Sequence, residues 1–146
     1  MSGEIKVTNF ILALKAIKKF KNWPTYFLDL FNLVTGKKIL LRSREGFKFI
    51  VRSGTTDRGI ITSVFLEDEY RINNLNLVGS IIIDIGAQTG SFSIFSSKGA
   101  KRVFSYEPIK NNFSILLDNI KVNNIQNISP FNLAVSNQVK NKNLFV

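Results

Sequence analysis

The chain has 146 residues, of which 45% are hydrophobic, and this is enough for a domain with its own core. It has no cysteine and no histidine, which excludes disulfides, thiolate or imidazole metal ligands, and catalysis by Ser–His or Cys–His pairs. The net charge is +10, and residues 1–60 hold 12 Lys and Arg against 4 Asp and Glu. This excess suits nucleic acid, a phosphate-bearing partner or an anionic membrane, although a lysine-rich solvated surface is the favoured interpretation.

The first predicted element is a helix over residues 5–21. Its apolar residues recur at helical spacing and its lysines gather on the other side: Val7, Phe10, Leu14 and Ile17 against Lys15, Lys18 and Lys19. Such a helix packs on its own domain or, less often, lies on an anionic membrane surface. No run approaches the roughly 20 apolar residues that span a bilayer. The expectation is therefore a cytoplasmic protein without a transmembrane segment.

The next elements are a second helix, a hairpin and a third helix. Pro24 opens the second helix and Gly36 is its predicted end. Residues 39–42 and 47–52 flank a Gly46-containing turn, which predicts a β-hairpin. A helix over residues 60–70 follows. These elements define an N-terminal helical segment (1–36) and a segment with the hairpin and the entry helix (37–79).

From residue 80 the pattern becomes strand, helix, strand, helix, strand. The predicted strands are 81–85, 103–106 and 129–135, and the predicted helices are 89–98 and one that starts at Pro108. Apolar strands that alternate with helices predict an α/β fold with a parallel sheet covered on both faces. Right-handed crossovers give the strand order 3-2-1. The predicted domain, residues 80–146, is thus an incomplete parallel sheet.

Strand 81–85 would be an edge of this sheet, and an apolar strand such as Ile81-Ile82-Ile83 is a poor edge. Its cover would come from a missing C-terminal half, the N-terminal hairpin or another chain. The apolar end of the sequence, Leu144-Phe145-Val146, resembles the start of a strand. We therefore expect the chain to be a fragment of a longer protein.

Two carboxylates follow neighbouring predicted strands. Asp84 ends the first and is followed by the glycine-bearing turn 86–90, and Glu107 ends the second. Ligands of open α/β sheets bind outside the carboxyl ends of the strands. There Asp84 suits a cationic amino group and Glu107 suits both hydroxyls of a ribose. The pair predicts a nucleoside ligand, for which S-adenosylmethionine is our choice. A tight turn and a helix N-terminal charge remain the alternatives.

The sequence resembles FkbM-type methyltransferases, a branch of the class I S-adenosylmethionine-dependent enzymes with a Rossmann-like fold. The resemblance covers about residues 38–139 and rests on segments 84–90 with Phe92-Ser93, 106–108 and 131–136, with looser matches at 52–57 and 65–70. Gln88 stands where this family usually has Asn.

The resemblance implies roles for individual residues. The methionine part of the cofactor would lie against Asp84, Gly86, Ala87, Gln88 and Gly90. The ribose would bind Glu107, and the adenine would lie beside Leu133 and Ala134. Thr55 and Tyr70 would close over the cofactor or serve only local packing and capping.

The resemblance implies an O-methyltransferase acting on a hydroxyl of a sugar or small metabolite, with a small-molecule or glycan acceptor and no nucleic acid partner. No metal is predicted. No catalytic base is named, because nothing in the sequence matches the family's fourth strand segment and the acids at 57, 67, 68 and 69 suit solvated or capping roles better. Two alternatives stay open: a non-catalytic cofactor- or partner-binding module, and a basic protein that binds nucleic acid or a membrane surface. The loop spacing disfavours a nicotinamide dehydrogenase.

Overall fold

A computed structural model describes residues 2–138 of the chain, with side chains from residue 11 onward. The chain divides between Leu75 and Asn76 into two compact units, called here the first unit and the second unit. The three-part division expected from the sequence stays a prediction. No helix in the described range is long and apolar enough to cross a membrane.

The first unit contains three helices and a hairpin. Its elements are α1 (Ser2–Lys19), α2 (Trp23–Leu30), β1 (Lys38–Arg42), β2 (Lys48–Arg52) and α3 (Asp57–Ile61), followed by a π-helical turn (Thr62–Leu66) and a 3-10 turn (Ile72–Asn74). The predicted hairpin is confirmed, since β1 and β2 pair antiparallel with Lys38 opposite Arg52. Gly46 adopts φ +96° in the turn, as a tight hairpin requires.

The core of the first unit is aromatic. Phe20 and Phe49 are fully buried and Phe65 is nearly so, and the ring centroid of Phe65 lies within 6 Å of those of Phe20 and Phe49. Ala16 of helix α1 and Phe20, which directly follows the helix, are buried in the first unit, whereas the described residues of the predicted apolar side of α1 are not. Leu14 and Ile17 of that side are exposed, at 42% and 36%. The side chains of Val7 and Phe10 lie outside the described residues.

Helix α2 is shorter than predicted. It ends at Leu30, because Asn32 takes the left-handed conformation at φ +54°. The N–H groups of Asn32 and Leu33 then bond back to the last turn of the helix, at 3.0 and 2.8 Å. Asparagine can end a helix in this way when glycine is absent. The predicted end at Gly36 was therefore too late.

Within residues 76–138 the second unit consists of a three-stranded parallel sheet and two helices. Strands β3 (Ile81–Ile85), β4 (Arg102–Tyr106) and β5 (Ile128–Phe131) alternate with α4 (Ser91–Ser97) and α5 (Lys110–Val122). The sheet order is β3-β4-β5. The α/β class and the predicted order 3-2-1 are therefore confirmed, with β3 at an edge.

Among the described residues, strand β3 is covered on only one face of the sheet, contrary to the expectation of two covered faces. Ser93 of α4 hydrogen-bonds to Asp84 and Ser105 on one face. The alternate residues Ile81, Ile83 and Ile85 are 63–65% exposed on the other face. Each strand is added next to the preceding one in the same direction, so right-handed crossovers place α4 and α5 on the same face of the sheet. The opposite face is left open.

Candidate cofactor site

The two predicted carboxylates lie at the same end of the sheet. Strands β3 and β4 are in register with Asp84 opposite Ser105 and Ile85 opposite Tyr106. Glu107 follows Tyr106 directly, so the two acids stand at neighbouring strand ends. The negative charge of Glu107 reaches Asp84, where it acts to raise the pKa of the carboxyl group. The two acids are therefore close enough in space to influence each other, as the sequence predicted from their places at successive strand ends.

The loop after β3 is held by hydrogen bonds within itself and to the neighbouring strand β4. The N–H groups of Gly86 and Ala87 donate to the carbonyl of Tyr106 at 2.9 and 3.0 Å, and Gly90 N–H donates to Ala87 at 2.7 Å. Gln88 adopts φ +50°, and its side-chain oxygen accepts from the N–H and hydroxyl of Thr89. The loop therefore has a fixed shape before any ligand binds, which reduces the ordering cost of binding.

Glu107 anchors this loop. The side chain is 3% exposed, and its two oxygens accept the N–H groups of Gln88 and Ile109, both at 2.8 Å. The carboxylate thus joins the glycine loop to the start of α5. Two carboxylate oxygens offer about four acceptor positions, so these contacts leave acceptor capacity for hydroxyl groups of a ligand.

Asp84 is held by α4. The hydroxyl of Ser93 donates to Asp84 Oδ2 at 2.5 Å, and the backbone of Ser93 also bonds to this carboxylate. Burial raises the pKa of the Asp84 carboxyl group, and the bonds from Ser93 oppose that effect only in part. The site therefore contains a carboxylate whose charge is not fully compensated by its surroundings.

The two glycines of the loop serve different purposes. A Cβ atom on Gly90 would lie 2.3 Å from Cδ1 of Leu116 on α5, so this position must be glycine for the helix to approach. A Cβ atom on Gly86 would meet nothing within 4 Å, although its φ is +80°. Gly86 is therefore required for the turn and faces open space, as a position beside a ligand would.

The predicted adenine-side residues lie past the end of β5. The strand stops at Phe131 rather than at residue 135, and Leu133 is 58% exposed. The side chain of Asn132 bonds to the carbonyls of Glu107 and Pro108 at 2.8 and 3.1 Å, which fixes the chain beside Glu107. Leu133 and Ala134 consequently follow at the same sheet end as the two carboxylates, exposed rather than within the strand.

Four polar side chains support the site and were absent from the sequence-based prediction of its residues: Ser93, Ser105, Asn119 and Asn132. Asn119 of α5 is 1% exposed and donates to the carbonyl of Thr89 at 2.9 Å. The signal available in the sequence was weak, because Ser93, Ser105 and Asn119 are single polar residues within a helix or strand and Asn132 follows the end of β5. Only the register of β3 with β4 reveals that Ser105 lies beside Asp84.

Two of the upstream residues weighed for the site, Thr55 and Asp57, have local partners in the first unit. Thr55 donates to the carbonyl of Arg52 at 2.8 Å and accepts from the N–H of Asp57 at 3.2 Å. Tyr70 is 55% exposed. Asp57 pairs with Arg52 through two side-chain bonds of 2.9 and 2.7 Å. Within residues 2–138 no cluster of acidic side chains could hold a metal ion.

Solved structures with the same fold identify its class. The chain is similar to TYW2 of M. jannaschii in complex with AdoMet, with 24% identity, a TM-score of 0.53, and coverage of 69% of this chain and 46% of that one. A SAM-dependent methyltransferase from Agrobacterium tumefaciens is 15% identical with a TM-score of 0.54, and the match covers 68% of this chain and 33% of that one. Trm5b from Pyrococcus abyssi is 22% identical with a TM-score of 0.52, and the match covers 64% of this chain and 27% of that one. The fold is that of the Rossmann-like class I methyltransferases. No protein-family model and no curated protein matches the chain.

The comparisons also bear on the extent and the partner of the chain. The matched region spans less than half of each of these three neighbours. The expectation of a small-molecule or glycan acceptor without nucleic acid was wrong, because the neighbours include tRNA methyltransferases such as Trm5b. The FkbM resemblance had suggested that acceptor, and the shared fold alone does not specify one.

Proposed function

We propose that the second unit binds S-adenosylmethionine and that the chain is the cofactor-binding part of a methyltransferase. The observation that carries the proposal is the placement of Asp84 and Glu107 at neighbouring strand ends beside a preformed glycine loop. The solved neighbours support it, since TYW2 structures contain AdoMet or MeSAdo. The resemblance of the motifs to FkbM-type enzymes supports the same assignment of the cofactor residues.

The residues at this sheet end suit the parts of the cofactor. Asp84 would attract the cationic amino group, because its buried carboxylate is only partly compensated by Ser93. Glu107 would accept ribose hydroxyls with the acceptor positions left by its two backbone bonds. Gly86 offers bare backbone with open space in front of it. Leu133 and Ala134 would provide an apolar contact for the adenine.

Methyl transfer requires little covalent chemistry from this chain. When bound, S-adenosylmethionine supplies an activated methyl group on its sulfonium. The protein's task is to fix the cofactor so that an acceptor atom can approach at about 3–3.5 Å in line with the reacting bond. Asp84, Glu107 and the rigid loop perform this orienting role. None of these residues is assigned as a base.

Titration calorimetry with S-adenosylmethionine and S-adenosylhomocysteine tests the proposal. Asp84→Ala and Glu107→Ala should each weaken binding by about 1–3 kcal/mol, since each removes a charged hydrogen-bond partner. Asp118→Ala is the matched control, because Asp118 is the remaining carboxylate of residues 76–146 and lies on α5. Equal affinity in all three variants would show that the site lies elsewhere.

We further propose that the methyl acceptor is RNA. The supporting observations are the net charge of +10 with a pI of about 10.0 and the tRNA methyltransferases among the fold neighbours. A cationic protein gains affinity for RNA by releasing the counterions of the phosphates. The charge excess of residues 1–60 would then serve to hold the acceptor, while the second unit holds the cofactor.

Two measurements test the acceptor class. Binding of fluorescent tRNA should weaken steeply as salt rises from 50 to 200 mM, and a methyl group labelled with tritium should pass from S-adenosylmethionine to tRNA. A serum albumin control measures nonspecific retention. Salt-independent binding, or label found in small hydroxyl compounds but never in RNA, would contradict this assignment while leaving the cofactor site intact.

A further inference from the structure

We propose that Ser93 and Ser105 form a buried hydroxyl relay that positions Asp84 and keeps its carboxylate ionised for the cofactor. The inference rests on the proposed function for its purpose, but the relay itself can be tested without any ligand. Ser93 and Ser105 would be positioning residues, acting on the cofactor only through Asp84. Neither belongs to the set of cofactor-contacting residues predicted from the sequence.

The three side chains form a continuous chain of short contacts. Ser93 Oγ lies 2.5 Å from Asp84 Oδ2 and 2.6 Å from Ser105 Oγ. Both serines are completely buried, with 0% exposure. Ser105 is the register partner of Asp84 on β4, so the pairing of the strands sets the spacing between these two residues. Helix α4 packs on this face of the sheet and places Ser93 between them. Three elements thus converge on one carboxylate.

The direction of the hydrogen bonds follows from the number of protons. A hydroxyl has one proton to donate, and Ser93 donates its proton to Asp84. Ser105 must therefore donate to Ser93 for the 2.6 Å contact to be a hydrogen bond. Each hydroxyl polarises the next, and the cooperative strengthening acts on the terminal acceptor. That acceptor is the ionised carboxylate, so the relay favours the charged form of Asp84.

The surroundings of Asp84 explain why a relay is useful. Burial raises the pKa of the Asp84 carboxyl group, and the charge of Glu107 raises it further. Helix α4 (Ser91–Ser97) contributes no ionisable side chain. On β4, Arg102 pairs with Ile81 at the far end of the strand, and Tyr106 pairs with Ile85 and points to the opposite face from Ser105. Among these elements the serine hydroxyls supply the stabilisation that the carboxylate needs.

The first experiment follows Asp84 in the ligand-free, 146-residue chain by carboxyl ¹³C NMR across pH, with Asp84→Asn used to assign the signal. Ser93→Ala should raise the pKa of Asp84 above the wild-type value, and Ser105→Ala should raise it by a smaller amount. Ser96→Ala is the matched control. Ser96 is also fully buried on α4, but its hydroxyl bonds to the backbone carbonyl of Ser93, so the pKa of Asp84 should stay at the wild-type value.

The second experiment measures the pH profile of S-adenosylmethionine affinity in the same variants. Affinity in Ser93→Ala should be about tenfold lower at neutral pH, as for the loss of a hydrogen bond to a charged group, and its acid limb should move to higher pH. Ser96→Ala should keep the wild-type profile. An unmoved Asp84 titration in Ser93→Ala, with the fold intact by circular dichroism, would overturn the relay. A shifted titration without any cofactor affinity in the wild type would instead reject the proposed function and leave the relay standing.

Discussion

Gly90 offers the sharpest test of how the second unit is packed. Replacing it with alanine places a methyl group 2.3 Å from Leu116 Cδ1 and forces alanine to adopt φ +86°. The left-handed backbone costs about 1–2 kcal/mol, and overpacking in a close-packed core adds about 1–3 kcal/mol. Gly90→Ala should therefore destabilise the second unit by about 2–5 kcal/mol, a large fraction of the roughly 5–15 kcal/mol that stabilises a typical domain.

Gly86→Ala is the matched control for this change. Its backbone is equally left-handed at φ +80°, but the added methyl group meets nothing within 4 Å. Only the conformational cost of about 1–2 kcal/mol applies. The difference between the two variants therefore isolates the packing contribution. Gly86→Ala should nevertheless weaken S-adenosylmethionine binding more than its small effect on stability would suggest, because the methyl group projects into the proposed ligand space.

Urea unfolding followed by far-UV circular dichroism gives the free energies, and amide exchange in α4 and α5 assigns the loss to the second unit. Leu116→Ala alone should cost about 2–5 kcal/mol by leaving a cavity. Combined with Gly90→Ala it should cost less than the sum, since the new methyl group fills part of that cavity. Equal destabilisation by Gly90→Ala and Gly86→Ala, or strict additivity in the double variant, would refute this account of the packing.

Three further predictions concern the carboxylates. Asp84→Asn should raise the free energy of unfolding at pH 7. A carboxyl group with a raised pKa in the folded state contributes stability at low pH that is lost as pH rises, and asparagine stays neutral at every pH. A lower melting temperature of the variant at pH 7 would contradict this. Burial raises the pKa of Asp57, but the bonds from Arg52 outweigh this effect and the net shift of the pKa is downward. The pair therefore stabilises the fold at neutral pH, and this stability is lost as pH falls through the folded-state pKa. Asp57→Asn should make the melting temperature depend less on pH in the acid range. Glu107→Gln should leave one of the two backbone N–H groups of Gln88 and Ile109 without an acceptor, because the amide has one oxygen and an NH2 group where the carboxylate has two oxygens. The expected cost is about 1–3 kcal/mol, and unchanged amide exchange at both Gln88 and Ile109 would contradict it.

The sequence predicted the elements of the second unit more accurately than their ends. Strand β3 matches the predicted range 81–85 because its apolar run is bounded by a serine and a glycine turn. Strand β5 was predicted too long, since Leu133 and Val135 continue the apolar pattern while the side chain of Asn132 bonds to backbone carbonyls beside Glu107. Helix α2 was also predicted too long, because asparagine is a weaker stop signal than glycine.

In the candidate site, too, some features could be predicted from the sequence and others could not. Asp84 and Glu107 could be found from the sequence, because each follows an apolar strand and parallel strands end at one edge of the sheet. The partners of Asp84 could not, since Ser93 and Ser105 are 9 and 21 positions away in the sequence and neither residue type is specific to a site. Helix α1 is a similar case, because its helical period indicated an apolar side but could not reveal that Ala16 and the following Phe20 are the buried residues.

By itself the sequence determined the alternation of strands and helices, the acids at the strand ends and the glycines of the loop, because these depend on local hydrophobic period and backbone freedom. The tertiary structure decided which polar groups form hydrogen bonds and which apolar surfaces stay exposed. It brought both oxygens of Glu107 to backbone N–H groups and left one face of β3 open. Such outcomes depend on contacts between distant residues, whose spacing is set by strand register and helix packing rather than by any local pattern.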